Sequence, residues 1–148
     1  LLEWLQRDTT PARLGRVLVV GCGLGDDAAI LVPRADRVVA FDISPTAIEW
    51  CHRRFRETNV EFCRADLFNA PTEWSGAFDL VFESYTLQAL PLEVREKAFP
   101  ILPTFVAPGG RLLVVARARR AGDPLGRVPW PLTRDELERL EDHGLTLR

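Results

Sequence analysis

Three alternate glycines close an apolar run in Val17-Leu-Val-Val-Gly-Cys-Gly-Leu-Gly-Asp26, and a second apolar run, Val38-Val-Ala-Phe, ends on Asp42. Without a Cβ, Gly21, Gly23 and Gly25 let the backbone turn sharply off a buried strand and approach a ligand closely. A carboxylate at the tip of the next strand suits the hydroxyl pair of a ribose. Together these residues point to a nucleoside-bearing cofactor. The dinucleotide pattern Gly-x-Gly-x-x-Gly needs a glycine at 26, where this chain has Asp26, and a carboxylate there opposes a pyrophosphate seated at a helix N-terminus. A ligand carrying positive charge is expected instead. The Walker pattern also fails, for want of its Gly-Lys-Ser/Thr ending.

The elements that must position these residues alternate along the chain. Strand signals lie at Arg16–Gly21, Arg37–Asp42, Val60–Arg64 and Phe78–Glu83, with a fifth at Arg111–Ala116 after the Pro108-Gly-Gly110 turn. Near-continuous Val, Leu and Phe, rather than alternation with polar residues, predicts strands buried on both faces of a parallel sheet. Helical segments fall between them at Asp26–Leu31, at Pro45–Glu57 with Ser44 as N-cap, and from Leu92 to about Phe99. Pro100 and Pro103 then predict a kinked or irregular stretch. Thr133-Arg-Asp-Glu136 forms a capping box for a helix running to about His143, with Gly144 as its stop. Residues 118–131 read as a long surface loop of the kind that touches substrate, and Leu1–Arg7 as the end of an amphipathic helix. The fold class expected is α/β, a doubly wound and mostly parallel sheet. On that fold Gly21–Gly25, Asp42, Asp66 and Glu83 are all strand-end residues and converge on one rim.

Composition narrows the partners. With 148 residues the chain fits one domain, long enough to bury roughly 70% of its unfolded surface. A net charge of -2, with the signs interleaved, provides no basic stripe for nucleic acid and no basic helix for a membrane. Cys22, Cys51 and Cys63 are odd in number and lack ligand spacing, so neither a disulfide framework nor a metal site is indicated. Without an apolar run of membrane-spanning length or a signal-peptide pattern, a cytoplasmic protein is expected.

In these motifs the chain resembles the class I S-adenosylmethionine-dependent methyltransferases over nearly its whole length. Gly25-Asp-Asp27 and Tyr85-Thr-Leu-Gln88 make it similar to small bacterial enzymes of the thiopurine and tellurite-resistance type. The resemblance implies that Gly21, Cys22, Gly23 and Gly25 border the methionine part of the cofactor. It implies further that Asp42 bonds the ribose, Ile43 packs on adenine, Asp66 takes the adenine amino group and the Leu67 backbone a ring nitrogen. S-adenosylmethionine would be the cofactor and S-adenosylhomocysteine the product. Against the family pattern, residues 1–148 read as a single domain incomplete at both ends, lacking the last strands and part of the N-terminal helix. The fifth strand is then expected to present an unprotected edge.

Methyl transfer from a sulfonium is an in-line substitution whose leaving group departs neutral, so positioning alone can supply ~7 to 11 kcal/mol. A catalytic residue is optional and none is assigned. Glu83, Tyr85 and Gln88 are the polar residues expected near the methyl, with Glu83 a candidate for the cofactor ammonium or the substrate. Each site residue has a simpler alternative. Asp42 could cap the following helix, Asp66 brace the loop to Trp74, Glu83 lie on the surface, and Cys22 merely fill space. The leading expectation is a methyltransferase acting on a small molecule. Its alternatives are a catalytically silent cofactor-binding regulatory or assembly protein and a nicotinamide-dependent oxidoreductase.

Overall fold

The computed structural model describes residues 1–7 and 11–147. Its five strands, β1 (Arg16–Val20), β2 (Arg37–Asp42), β3 (Val60–Arg64), β4 (Phe78–Ser84) and β5 (Val106–Val115), form one all-parallel sheet in the order β3-β2-β1-β4-β5. The chain therefore travels outward from β1 to β3 and then crosses back to β1's other side as β4. That reversal places the switch point, where ligands of open α/β sheets bind, between the carboxyl ends of β1 and β4.

The inner strands β1, β2 and β4 are buried on both faces, as their continuous apolar runs predict, whereas the edge strands β3 and β5 are only partly covered. Leu18 and Val20 of β1 join one core with Phe41, Trp74, Val81, Phe99 and Leu132. Val17 and Val19 point the other way, into a second core with Ala28, Leu31, Ile48, Cys51 and Phe82. The second face is covered by α2 (Asp26–Leu31) and α3 (Pro45–Arg54). Short α1 (Leu2–Leu5) also packs there through Leu1, Trp4 and Leu5, as its amphipathic spacing predicts. On the first face lie α4 (Thr86–Ala89), α5 (Leu92–Ala98) and a 3-10 turn at Leu102–Phe105 that carries Pro103 in its first positions. Regular helix thus ends at Ala98, just ahead of Pro100, where the sequence indicates.

α3 ends at Arg54 rather than Glu57, α4 has no counterpart in the sequence reading, and two further elements differ from it. β5 starts at Val106 rather than Arg111, because the strand absorbs Pro108-Gly-Gly110 as an irregularity: Phe78 pairs with Val106, yet Leu80 pairs with Arg111. A Cβ on Gly110 would stand 2.9–3.0 Å from the carbonyl oxygens of Ala107, Asp79 and Phe78, so only glycine fits that crowded backbone. The capping box is present on Thr133, but α6 (Arg134–Glu138) stops early and a 3-10 turn at Glu141–His143 reaches Gly144, which is left-handed at φ 84°.

The segment after β5 is held by more than its own surface position. Gln88 and Arg95, both fully buried, grip it from α4 and α5. The Gln88 amide donates to the carbonyls of Arg117 and Trp130 at 3.1 and 2.9 Å and accepts from the Arg117 N–H at 2.6 Å. Arg95 donates to the Leu87 carbonyl at 2.8 Å, to Trp130 at 3.2 Å and to Glu136 Oε1 at 3.0 Å. A buried charge held this way is costly to strand, since its partners lose both a bond and their solvation. Replacing Arg95 with Met is expected to lower unfolding free energy by about 3 kcal/mol or more. Urea denaturation measures it, and a loss below ~1 kcal/mol would show that the grip is not made.

Candidate functional site

The glycine turn leaves β1 through residues with distinct tasks. Gly21, at φ 61°, has no room for a Cβ, which would fall 2.3 Å from Thr86 Oγ1, and Thr86 in turn donates to the Val20 carbonyl at 3.0 Å. The tips of β1 and β4 are thereby drawn together at the switch point. Gly25, at φ 86°, would meet Phe62, Cys51 and Phe55 at 2.9–3.0 Å, so it permits close packing of the helix that follows. Gly23 is the exception. A Cβ there would meet nothing within 4 Å, which means that its backbone faces open space at the rim.

Asp42 ties this turn to its neighbour. Its Oδ2 accepts the Gly23 N–H and its Oδ1 the Ser44 N–H, each at 2.9 Å. Ser44 Oγ caps α3 by accepting from the Ala47 N–H, so the cap is Ser44, and the carboxylate instead joins the turns after β1 and β2. A carboxylate has about four acceptor positions, and these two bonds leave others available. One residue on, β3 arrives beside it: the Ala65 N–H donates to the Asp42 carbonyl at 3.2 Å, and Asp66 follows at the same rim. Asp66 Oδ1 accepts from the Phe68 N–H at 3.0 Å and starts the 3-10 turn Leu67–Asn69. That is the local bracing weighed above, carried out by one of its two oxygens.

Each of β1 to β4 also presents a large apolar side chain just past its carboxyl end. Leu24 is 52% exposed, Ile43 62%, Phe68 39% and Tyr85 43%. Surface apolar residues scattered singly mean little, whereas one per strand along a single edge marks a binding rim. The structure thus brings Gly21, Cys22, Gly23, Gly25, Asp42, Ile43, Asp66 and Leu67 to one edge of the sheet.

Three sequence expectations change. Glu83 is not a surface carboxylate, nor does it stand on the rim: its exposure is 0%, and it lies beneath the rim with Oε1 accepting from the Leu87 N–H at 2.9 Å. Gln88 is fully buried and its side-chain amide is occupied with the segment after β5. Asp26 is not a free negative charge, because Arg54 of α3 pairs with it through bonds of 2.6 and 2.8 Å. Sequence reasoning missed that pair, which joins residues on different helices, and missed Arg95, although its place three residues before buried Ala98 puts it on the inward face of α5. Cys22 sits beside Cys51, which donates to the Gly23 carbonyl at 3.3 Å; burial, followed by the Cys51 and Asp42 neighbours, pushes the Cys22 thiol up, so space-filling suits it better than nucleophilic attack. All three cysteines are free thiols.

Comparison with known proteins decides the family. Residues 17–110, from the start of the glycine strand to the β5 irregularity, match the family model described as a methyltransferase domain. The chain belongs to that family. This methyltransferase domain is 32% identical over 129 residues to a 2-heptyl-1-hydroxyquinolin-4(1H)-one methyltransferase of Mycobacteroides abscessus, covering 85% of the chain and 56% of the relative. It is 26% identical over 156 residues to a thiopurine S-methyltransferase of Vibrio campbellii, covering 95% and 70%. The solved DhpI-SAM-HEP complex superposes with a TM-score of 0.72 at 27% identity, covering 97% of the chain and 74% of that one. The chain spans little more than half the length of the first of these relatives. No described helix is long and apolar enough to cross a membrane.

Within the methyltransferase domain the one buried side-chain oxygen or nitrogen without a partner, among the described residues, is Glu83 Oε2. Burial raises the Glu83 carboxyl from 4.5 to about 7, against the opposing pull of the Leu87 and Thr86 N–H groups and the Arg95 charge. The folded chain therefore holds a proton that the unfolded chain releases above pH ~4.5. The resulting stabilisation is complete below the unfolded value and is lost as pH rises through the folded one, a change of about 3 kcal/mol. Unfolding free energy measured from pH 4.5 to 8 should fall over that window in the native sequence, and Glu83→Gln should flatten the slope. Equal slopes in both proteins would remove Glu83 from the account.

Proposed function

We propose that the domain binds S-adenosylmethionine along the carboxyl rim of its sheet and directs the methyl group to a small-molecule acceptor. The observation that carries this reading is the Asp42 brace beside the open Gly23 backbone: a carboxylate fixed at a strand tip, with acceptor positions left over, next to main chain that a ligand can approach. Ile43 and Phe68, exposed on either side of the β2–β3 tips, offer apolar surfaces for a planar base. Asp66 keeps an oxygen beyond its bond to Phe68 for an exocyclic amine.

When bound, S-adenosylmethionine supplies an activated methyl whose leaving group is a neutral thioether. The chain's own task is orientation. Asp42 fixes the ribose, the Gly21–Gly25 turn sets the height of the ligand above β1, and the β4 tip bounds the far side of the switch point. Fixing donor and acceptor in an attack geometry is itself worth ~7 to 11 kcal/mol, so this arrangement acts without a dedicated acid. Glu83 lies too deep to serve as a base at the rim and acts instead by holding the N-terminus of α4.

A small, planar acceptor is favoured by two lines of support. The rim is apolar at four strand tips and carries no run of basic residues, and the relatives described above include enzymes named for a hydroxyquinolone and for thiopurines. The cytoplasm is the compartment consistent with three free thiols. The nicotinamide reading remains disfavoured on one of its two original grounds, the absent third glycine of the dinucleotide pattern, while the repulsion argument weakens because Asp26 is paired to Arg54.

Thermal unfolding in the presence of S-adenosylhomocysteine or NAD discriminates the readings. At 100 times its dissociation constant the methyl-donor product should add about 2.7 kcal/mol and raise the midpoint by several degrees. NAD should leave it unchanged, and stabilisation by NAD alone would overturn the reading. Asp42→Ala should weaken S-adenosylhomocysteine binding roughly ten- to hundredfold, through loss of charge-assisted hydrogen bonds. An unchanged affinity in a folded variant would take Asp42 out of the site.

A further inference from the structure

Tyr85 is the one non-glycine residue with positive φ among the described residues, at φ 62° and ψ 0°. Glycine takes that left-handed conformation freely, whereas a side chain bearing a Cβ is strained there. The backbone is fixed on both sides. The Tyr85 N–H donates to the Val115 carbonyl at the end of β5 at 3.1 Å, and the Tyr85 carbonyl accepts from the Ala89 N–H at 3.0 Å. Neither backbone bond calls for a tyrosine side chain. Its ring stacks on no other ring, its hydroxyl has no hydrogen-bond partner among the described residues, and 43% of the residue is exposed although Glu83, Leu87 and Gln88 around it are fully buried. Strain held without a ring contact or hydroxyl hydrogen bond in return, at a strand tip beside the proposed ligand site, points to a role toward the ligand.

The position says which part of the ligand. On the reading proposed above, the adenosine end lies over the tips of β2 and β3, at Asp42, Ile43 and Asp66. The other end must then extend across β1 toward β4, where Thr86 touches the Gly21 turn and Tyr85 is its immediate neighbour. An aromatic face at that point meets a sulfonium, and aromatic faces attract cations. We propose that the Tyr85 ring stands against the sulfonium methyl of the bound donor and forms the wall along which a planar acceptor approaches. This rests on the S-adenosylmethionine reading and adds to it a residue that senses the methyl and its charge.

Tyr85 is the chain's single tyrosine, so biosynthetic incorporation of meta-fluorotyrosine yields one fluorine resonance from this residue alone. S-adenosylmethionine and S-adenosylhomocysteine differ only in the methyl and its positive charge. The resonance should move to different positions in the two complexes. Tyr85→Gly should keep or raise the unfolding midpoint while weakening S-adenosylmethionine relative to S-adenosylhomocysteine by roughly three- to thirtyfold, and Tyr85→Phe should retain the native ratio. A resonance that is the same in both complexes, or an unchanged ratio in the glycine variant, overturns the proposal while leaving cofactor binding in place. A midpoint unmoved by either compound overturns the cofactor reading itself and the proposal with it.

Discussion

The site depends on a single carboxylate shared between two turns. Asp42 accepts the Gly23 N–H from the β1 turn and the Ser44 N–H from the β2 turn, both at 2.9 Å. Backbone donors exposed in turns would otherwise hydrogen-bond to water and leave each loop free to move by itself. With the carboxylate between them, the rim over β1 and β2 becomes one preformed surface. On the proposed reading, that is how a small number of residues at the strand tips would orient a ligand.

Beneath the rim the chain spends buried polar groups on position rather than on chemistry. Glu83 holds the start of α4, Gln88 and Arg95 grip the segment after β5, and Glu136 serves both Arg95 and the capping box of α6. Glu83 is only half satisfied, with Oε2 unpartnered among the described residues, whereas Gln88, Arg95 and Glu136 are costly if left unpaired, which favours their arrangement once formed. It also connects β4, α4, α5 and α6 to the far side of the switch point, where the acceptor would enter. Rigid support under a rim of exposed apolar tips is the physical basis for proposing that methyl transfer takes place at this edge of the sheet.

Much of this was legible in the sequence for reasons that are local. The apolar runs of β1, β2 and β4 could not be solvated, Ser44 before Pro45 and Thr133 before Glu136 are capping chemistry, and the alternate glycines break a strand wherever they occur. Features set by distant partners were not legible. Asp26 reads as a free charge until Arg54, 28 residues away, is brought to it. Gln88 reads as a site residue until the backbone of Arg117 and Trp130 occupies it. Arg95 lies on the inward face of α5, but only the fold supplies the Glu136 and Trp130 groups that make its burial tolerable. β5 was misjudged at its start because Pro108-Gly-Gly110 signals a turn locally, while pairing with β4 accommodates it as an irregular stretch of strand.

A crystal structure of the chain with S-adenosylhomocysteine bound tests the account most directly. The expected result places both ribose hydroxyls within ~3 Å of the Asp42 carboxylate, with adenine against Ile43 and the thioether sulfur over the β1–β4 tips. A nucleoside bound elsewhere, or one seated at this rim with its ribose turned away from Asp42, would contradict it.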